Sequence, residues 1–347
     1  MTLQRFQSPR RAATRAATRA ATRAALAASL TLACATAASL WANRADAQAQ
    51  YPTHTITLLV GSAPGGSNDV FARTIAKGLQ EAWGQPVVVE NKPAAGGILA
   101  NALTAKAAPD GYTLVVLSST FTTGAAIRTN LPYDALRSFA PVAMLAKGPM
   151  LITVSKHTPF QTLNDLIVYG RANPGKLNYG TSGVGSINQF ATELFADAAG
   201  VKLTHVPYKG MNPAVTDLIG GQIDVLFASA PSLLSQVHAD KIRALAVSTV
   251  GRSPVAPDLP SLDEAGLQRA AVDLWWGVLA PAGTPVAIVD KLNARIGQIV
   301  GGAEMKAFFL REGAQPAAMT PAEFARHLDD EIARWKQVAA AADIQPE

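Results

Sequence analysis

The chain has 347 residues, of which 49% are hydrophobic and 16% charged, with a formal net charge of +5. That length and apolar share exclude a disordered chain and fit about two domains with substantial cores. Residues 1–49 hold seven of the 30 Lys and Arg and one of the 25 Asp and Glu, leaving 23 basic against 24 acidic residues, so the body lacks the basic excess of a nucleic-acid partner.

The N-terminal segment reads as an export signal. Residues 1–23 are basic and reiterate Ala-Ala-Thr-Arg. A weakly apolar stretch follows over 24–42, then Ala45-Asp46-Ala47, a small-x-small cleavage pattern. Residues 1–47 are expected to be a signal peptide, cleaved after Ala47, that sends the chain to the periplasm. The single cysteine, Cys34, falls inside this leader, so a mature chain would form no disulfide, thiolate zinc site or iron–sulfur cluster.

Beyond the leader, short apolar runs alternate with helical periodicity. Strands are predicted at 55–60, 87–90, 113–118, 151–154, 177–180, 204–206 and 224–227, and helices at 68–81, 98–105, 163–171, 187–199 and 213–219. The alternation predicts an α/β fold with mostly parallel pairing. Toward the C-terminus, Thr284-Pro285 predicts a capped helix start, and Thr320-Pro321-Ala322-Glu323 a capping box. No long linker divides the body. Residues 142–151 and 273–281 are the candidate crossings between two lobes, one built from 48–147 plus 276–347 and the other from 148–275.

Two strand–glycine loop–helix junctions carry the functional signal. The first is Gly61-Ser62-Ala63-Pro64-Gly65-Gly66-Ser67-Asn68-Asp69; the second is Gly180-Thr181-Ser182-Gly183-Val184-Gly185-Ser186. Glycine turns and helix starts gather backbone N–H groups and a partial positive charge, and the hydroxyls add donors. Neither loop has the Gly-Lys-Ser/Thr of a phosphate loop or a dinucleotide fingerprint, so a carboxylate fits better than a nucleotide. The expected ligand-binding residues are Ser62, Pro64, Gly65, Gly66, Asn68 and Asp69 in the first loop, and Thr181, Ser182, Gly183, Gly185 and Ser186 in the second. The hydroxyl run Ser118-Ser119-Thr120-Phe121-Thr122-Thr123 after a strand end, with Ser118, Ser119 and Thr120 as its expected ligand donors, and Tyr208 in Pro207-Tyr208-Lys209-Gly210 are expected to line the same cleft. The five histidines show no metal-ligand spacing and there is no nucleophile elbow, so no catalytic, metal or cofactor site is expected.

The first loop and its continuation Val70-Phe71-Ala72-Arg73 resemble the P-G-G-x-x-D-x-x-A-R opening of the Bug family, the extracytoplasmic solute-binding proteins of tripartite tricarboxylate transporters. Asn91-Lys92-Pro93-Ala94-Ala95-Gly96-Gly97 resembles that family's N-x-x-G-A-G-G loop, with Ala94 where glycine is usual. Pro109-Asp110-Gly111-Tyr112-Thr113-Leu114, residues 180–195, Val206-Pro207-Tyr208-Lys209-Gly210 and residues 217–224 match further blocks in order. Gln189 stands where the family often has histidine. The resemblance implies a two-lobed periplasmic binding protein fold of type II (a Venus flytrap), each lobe a mixed, mostly parallel sheet flanked by helices. It also implies capture of a carboxylated small molecule and its delivery to inner-membrane permease subunits; the chain is expected to be a monomer. The rival readings are a ligand-loaded partner of a membrane sensor kinase and a secreted hydrolase or transferase.

Overall fold

The computed structural model describes residues 51–345. The expected signal peptide, its cleavage point after Ala47, and Cys34 lie outside the described residues. The first half begins with strand β1 (Ile56–Val60), buried at four of its five residues. Helix α1 (Ser67–Trp83) follows and stops at Gly84, whose φ of 66° ends the helix in the left-handed region. It lays Phe71, Ile75 and Leu79 on the core at helical spacing. β2 (Val87–Asn91), a short 3₁₀ turn (Ala95–Gly97), α2 (Ile98–Ala105) and β3 (Thr113–Ser118) come next, with β2 and β3 parallel on either side of β1.

The hydroxyl-rich run after β3 is a helix, α3 (Thr120–Ile127). Its hydroxyls turn inward, with Thr122 Oγ1 2.8 Å from Ser119 O and Thr123 Oγ1 3.2 Å from Thr120 O. Then comes β4 (Phe139–Ser155), a continuous 17-residue strand where only 151–154 is predicted. Pro141, Gly148 and Pro149 mask its length in the sequence. The register shift at Pro141/Ala143 accommodates the first proline as a bulge, and a second shift follows at Met144/Ala146.

The second half contains α4 (Leu163–Ala172), β5 (Leu177–Thr181), α5 (Ile187–Ala199), β6 (Leu203–Pro207), α6 (Met211–Ile219), β7 (Val225–Ser229), α7 (Ala230–His238) and β8 (Ile242–Val247). The chain returns through β9 (Asp273–Pro281) and finishes with α8 (Val286–Gly301), α9 (Ala303–Arg311), β10 (Gln315–Pro316) and α10 (Pro321–Ala341). The predicted capping box opens α10, with Glu323 N donating to Thr320 Oγ1 and Thr320 N to Glu323 Oε2. Thr284 does not cap α8; its hydroxyl donates to Pro281 O at 2.8 Å and the helix starts two residues later.

The strands form two mixed sheets that share β4. The first runs β2-β1-β3-β9-β4-β10 and the second β8-β4-β7-β5-β6. In each, the crossover strands at one side are parallel, whereas β4 and β9 pair antiparallel with all their neighbours. Residues from Phe139 to Pro149 pair with β9, and those from Met150 to Ser155 with β7 and β8. Each half has its own core. Val115, Leu117, Met144, Trp275, Leu279 and Phe324 pack in the first, and Leu151, Leu218, Ile223, Leu226, Leu233 and Val247 in the second. This is the two-lobed α/β fold expected from the sequence.

Where the halves meet, Ser248 fastens both crossing strands. Its buried hydroxyl accepts from Met150 N at 2.9 Å and donates to Val272 O at 2.6 Å. Its backbone adds Ser248 N to Met150 O and accepts from Val272 N, at 2.9 and 2.8 Å.

Candidate functional site

The first glycine loop is built on a backbone-to-backbone contact. A Cβ on Gly61 would stand 2.4 Å from Gly97 Cα, so only glycine lets the end of β1 approach the turn before α2 this closely. The adjoining Gly96 faces Thr120 Cγ2, 3.9 Å from where its own Cβ would be, which brings the start of α3 to the same place. The loop, the Asn91–Gly97 wall and the Ser118–Thr120 segment therefore assemble at the carboxyl ends of β1, β2 and β3.

Asp69 ties this assembly together and does not face an open site. It is 2% exposed and accepts from Gly65 N, Arg73 Nε and Asn91 Nδ2 at 2.9, 3.0 and 2.9 Å. Burial pushes its carboxyl up, but the hydrogen bonds from Arg73, Gly65 and Asn91 outweigh that and hold it below the ordinary aspartate value. Asn91 Nδ2 also donates to Ser62 O. The Gly65 amide is thus committed to Asp69, and the Gly66 amide points to Ala63 O at 3.4 Å. What the loop leaves open is the helix start. The N–H groups of Ser67, Asn68 and Asp69 have no acceptor among the described residues, and α1 has no side-chain cap. Ser62 Oγ is buried without a partner among the described residues. Pro64 lies exposed at the rim and Asn68 is half-buried.

The second loop repeats this logic. Gly185 N donates to Gln189 Oε1 at 2.8 Å, Ser186 N to Gly183 O at 3.2 Å, and Gly183 N to Thr181 Oγ1 at 3.3 Å. The hydroxyls are engaged as well. Thr181 Oγ1 meets His205 Nε2 at 2.7 Å, Ser182 Oγ donates to Asn188 Oδ1, and Ser186 Oγ to Gly183 O. Three glycine-loop amides and three hydroxyls expected to be ligand donors therefore shape the turn itself. The N–H groups of Ser182 and Val184 in the loop, and of Ile187 and Asn188 at the start of α5, have no acceptor among the described residues, and α5 carries no side-chain cap. Gln189, the departure from the resembled pattern, is the residue that pins this turn.

α3 connects the two loops. Thr123 Oγ1 donates to Gly185 O at 2.9 Å, and Arg128 Nη2 to Val184 O at 2.8 Å. These bonds run from an element of the first sheet's half to a loop of the second's. Thr123 belongs to the hydroxyl run expected along the cleft, although that run does not declare itself a helix; Arg128 was missed because it looks like any loop arginine. On the opposite face, Glu331 of α10 accepts from Thr122 Oγ1 and Trp275 Nε1, at 2.8 and 2.7 Å, while Ser119 Oγ accepts from Trp275 N. Ser119 is buried in this network and offers nothing outward. Ser118, half-buried, lies opposite Trp276 in the sheet.

Tyr208 borders the second loop. Its ring lies 3.3 Å from where a Cβ on Gly180 would be. Its hydroxyl donates to Asp217 Oδ2 at 2.7 Å, and burial together with Asp217 pushes the phenol up to about 12. Tyr208 is therefore a wall whose hydroxyl is already spent, and Lys209 beside it is exposed. Among the described residues, no group of three or more His, Cys, Asp or Glu is placed to hold a metal ion, and no helix is long and apolar enough to cross a membrane. A separate cavity of about 310 Å³ lies along the crossing strands, lined by Lys147, Asp273, Trp275, His327, Glu331 and Arg334, and touches neither loop.

Residues 71–344 match the family model described as "Tripartite tricarboxylate transporter family receptor". The chain belongs to this family. Its members are solute-binding receptors, and this receptor is accordingly not an enzyme. It is 35% identical over 290 residues to Protein BugT of Bordetella pertussis, an alignment covering 83% of this chain and 89% of BugT. Among solved structures, Rpa4515 of R. palustris with adipate matches at a TM-score of 0.82 with 36% identity, covering 86% of this receptor and all of that chain. MatC (Rpa3494) from Rhodopseudomonas palustris, with bound malate, matches at 0.76 with 33% identity, covering 83% and 99%.

Proposed function

We propose that this receptor captures a carboxylated organic small molecule in the periplasm and delivers it to the membrane permease of a tripartite tricarboxylate transporter. The observation that carries this reading is the pair of uncapped helix starts, α1 and α5, one in each half. Each has backbone N–H groups without acceptors, and the buried Ser62 hydroxyl adds a donor to the first. Carboxylate oxygens are the natural complement of such donors. The adipate and malate bound by Rpa4515 and MatC support the same class of ligand.

On this reading the lobes comprise 48–147 plus 276–347 and 148–275. The ligand lies between Ser62, Pro64 and the Ser67–Asp69 amides on one side and the 182–188 amides with Tyr208 on the other, near Ser118 and Thr120. The glycines at 65, 66, 183 and 185, with Asp69, Ser119, Thr181 and Ser186, shape these walls. Closure around the crossing strands buries the ligand. Residues 1–47 act as the cleaved export signal, and the mature receptor works as a monomer without a cofactor.

Isothermal titration of the mature chain against monocarboxylates, dicarboxylates, tricarboxylates, amino acids and aromatic acids tests the reading. Saturable binding of at least one carboxylate is expected, and silence across the whole panel would sink it.

A further inference from the structure

We infer that Arg128 sets which carboxylates the receptor accepts, its guanidinium receiving the second carboxylate of a ligand whose first lies against the open amides at the start of α1. This rests on the carboxylate-receptor reading above and adds a cation to a site otherwise built from neutral donors.

Arg128 follows the last residue of α3 in extended conformation, with φ −93° and ψ 123°. Its side chain folds back over the helix, so that Nη1 lies 2.9 Å from where a Cβ on Gly124 would stand. The guanidinium then rests on the second loop. A Cβ on Gly185 would be 3.0 Å from Nη1 and 3.3 Å from Nη2. Two glycines, one from each half, thus clear the space this group occupies.

The group is half-buried, yet no carboxylate among the described residues lies within ion-pair distance of it. Only the Nη2 bond to Val184 O is made; the remaining N–H donors have no acceptor among the described residues. A partly desolvated cation without a counter-charge is unfavourable, and the planar fork matches a carboxylate in particular. Four residues of helix separate the Gly124 level from Thr120, about 6 Å of rise. Thr120 is where α3 meets the first loop's wall. A cation about one turn away from that wall suits a short diacid, with one carboxylate at each end.

The test is titration of the wild-type mature receptor and of Arg128→Met, Arg128→Lys and Thr123→Val against matched acids: succinate, glutarate and adipate beside butyrate, pentanoate and hexanoate. Wild type is expected to prefer a diacid over its monoacid counterpart. Arg128→Met is expected to lose about 10- to 100-fold more in diacid than in monoacid affinity, the loss common to both classes reporting the broken bond to Val184 O. Arg128→Lys keeps the charge without the fork, so its diacid-specific loss is smaller, and it supplies the comparison should the Met variant not fold. Thr123→Val removes the bond to Gly185 O while leaving Arg128 in place and should weaken both acid classes alike. If the Arg128 variants lower both classes equally, as Thr123→Val does, or neither, the inference is overturned. Wild type that binds monoacids but not diacids overturns it while leaving the carboxylate reading standing; wild type that binds none of these acids or any other carboxylate overturns both.

Discussion

Gln189 and Asp69 show how little of a binding loop's detail its sequence declares. Both loops were legible as glycine turns opening helices, and that much follows from residue type and spacing. Which N–H groups remain available was not, because it depends on side-chain acceptors that arrive from four residues downstream. Gln189 Oε1 takes the Gly185 amide, and Asp69 takes the Gly65 amide while Asn91 reaches it from β2. Gln189→Leu would leave the buried Gly185 N–H unpaired, at a cost of about 1–3 kcal/mol. The expected result is a lower urea midpoint and weaker ligand binding; a variant identical to wild type in both would contradict the pinning role. Asp69 carries a pH signature. Its folded pKa lies below the unfolded value, so its contribution is complete above the unfolded pKa and fades as pH falls through the folded one. Chemical denaturation at pH 7 and pH 3 should show Asp69→Asn less stable than wild type at the higher pH, with the gap narrowing at the lower. A gap independent of pH would argue against the ionised, hydrogen-bonded carboxylate.

At the scale of elements, α3 is the lesson. Its sequence, Thr-Phe-Thr-Thr-Gly-Ala-Ala-Ile, mixes residues that are weak helix formers with two alanines, so propensity gives no clear answer. Tertiary contacts decide: Phe121 enters the core and Thr122 bonds to Glu331, both out of reach of a local reading. By contrast α10 was legible from its capping box and its stripe of Phe324, Leu328, Ile332 and Trp335, all buried as expected. The contact between Gly61 and Gly97 gives an element-level prediction. Gly61→Ala places a methyl 2.4 Å from a backbone atom that cannot swing aside, so β1 and the turn before α2 must part. Overpacking of this kind costs about 1–3 kcal/mol. Thermal unfolding should register the loss, and ligand affinity should drop with it because the first loop moves. Full retention of both would show that the close approach is dispensable.

For the whole molecule, the alternation of strands and helices gave the fold class, and the resembled motifs gave its two-lobed arrangement. The length of β4 stayed hidden behind its prolines and glycine, and with it the fact that one strand belongs to both sheets. Ser248 is the joint between that strand and the returning chain. Ser248→Ala deprives Met150 N and Val272 O of a buried partner, and a loss of about 1–3 kcal/mol is expected in equilibrium unfolding. No change would mean the backbone bonds alone hold the joint. Ligand should act in the opposite sense, since anything bound only by the folded receptor stabilises it, by about 2.7 kcal/mol at a hundredfold excess over Kd.

The shared strand has a practical corollary. β4 is an interior member of each sheet, flanked by β9 and β10 over one stretch and by β7 and β8 over the next. A gene split near residue 149 would strip one fragment of the middle of its sheet and leave a raw, apolar gap where a neighbour is missing, a template for clumping. Neither piece should be recoverable on its own, and a nicked receptor should regain its shape only when both pieces are refolded in the same tube.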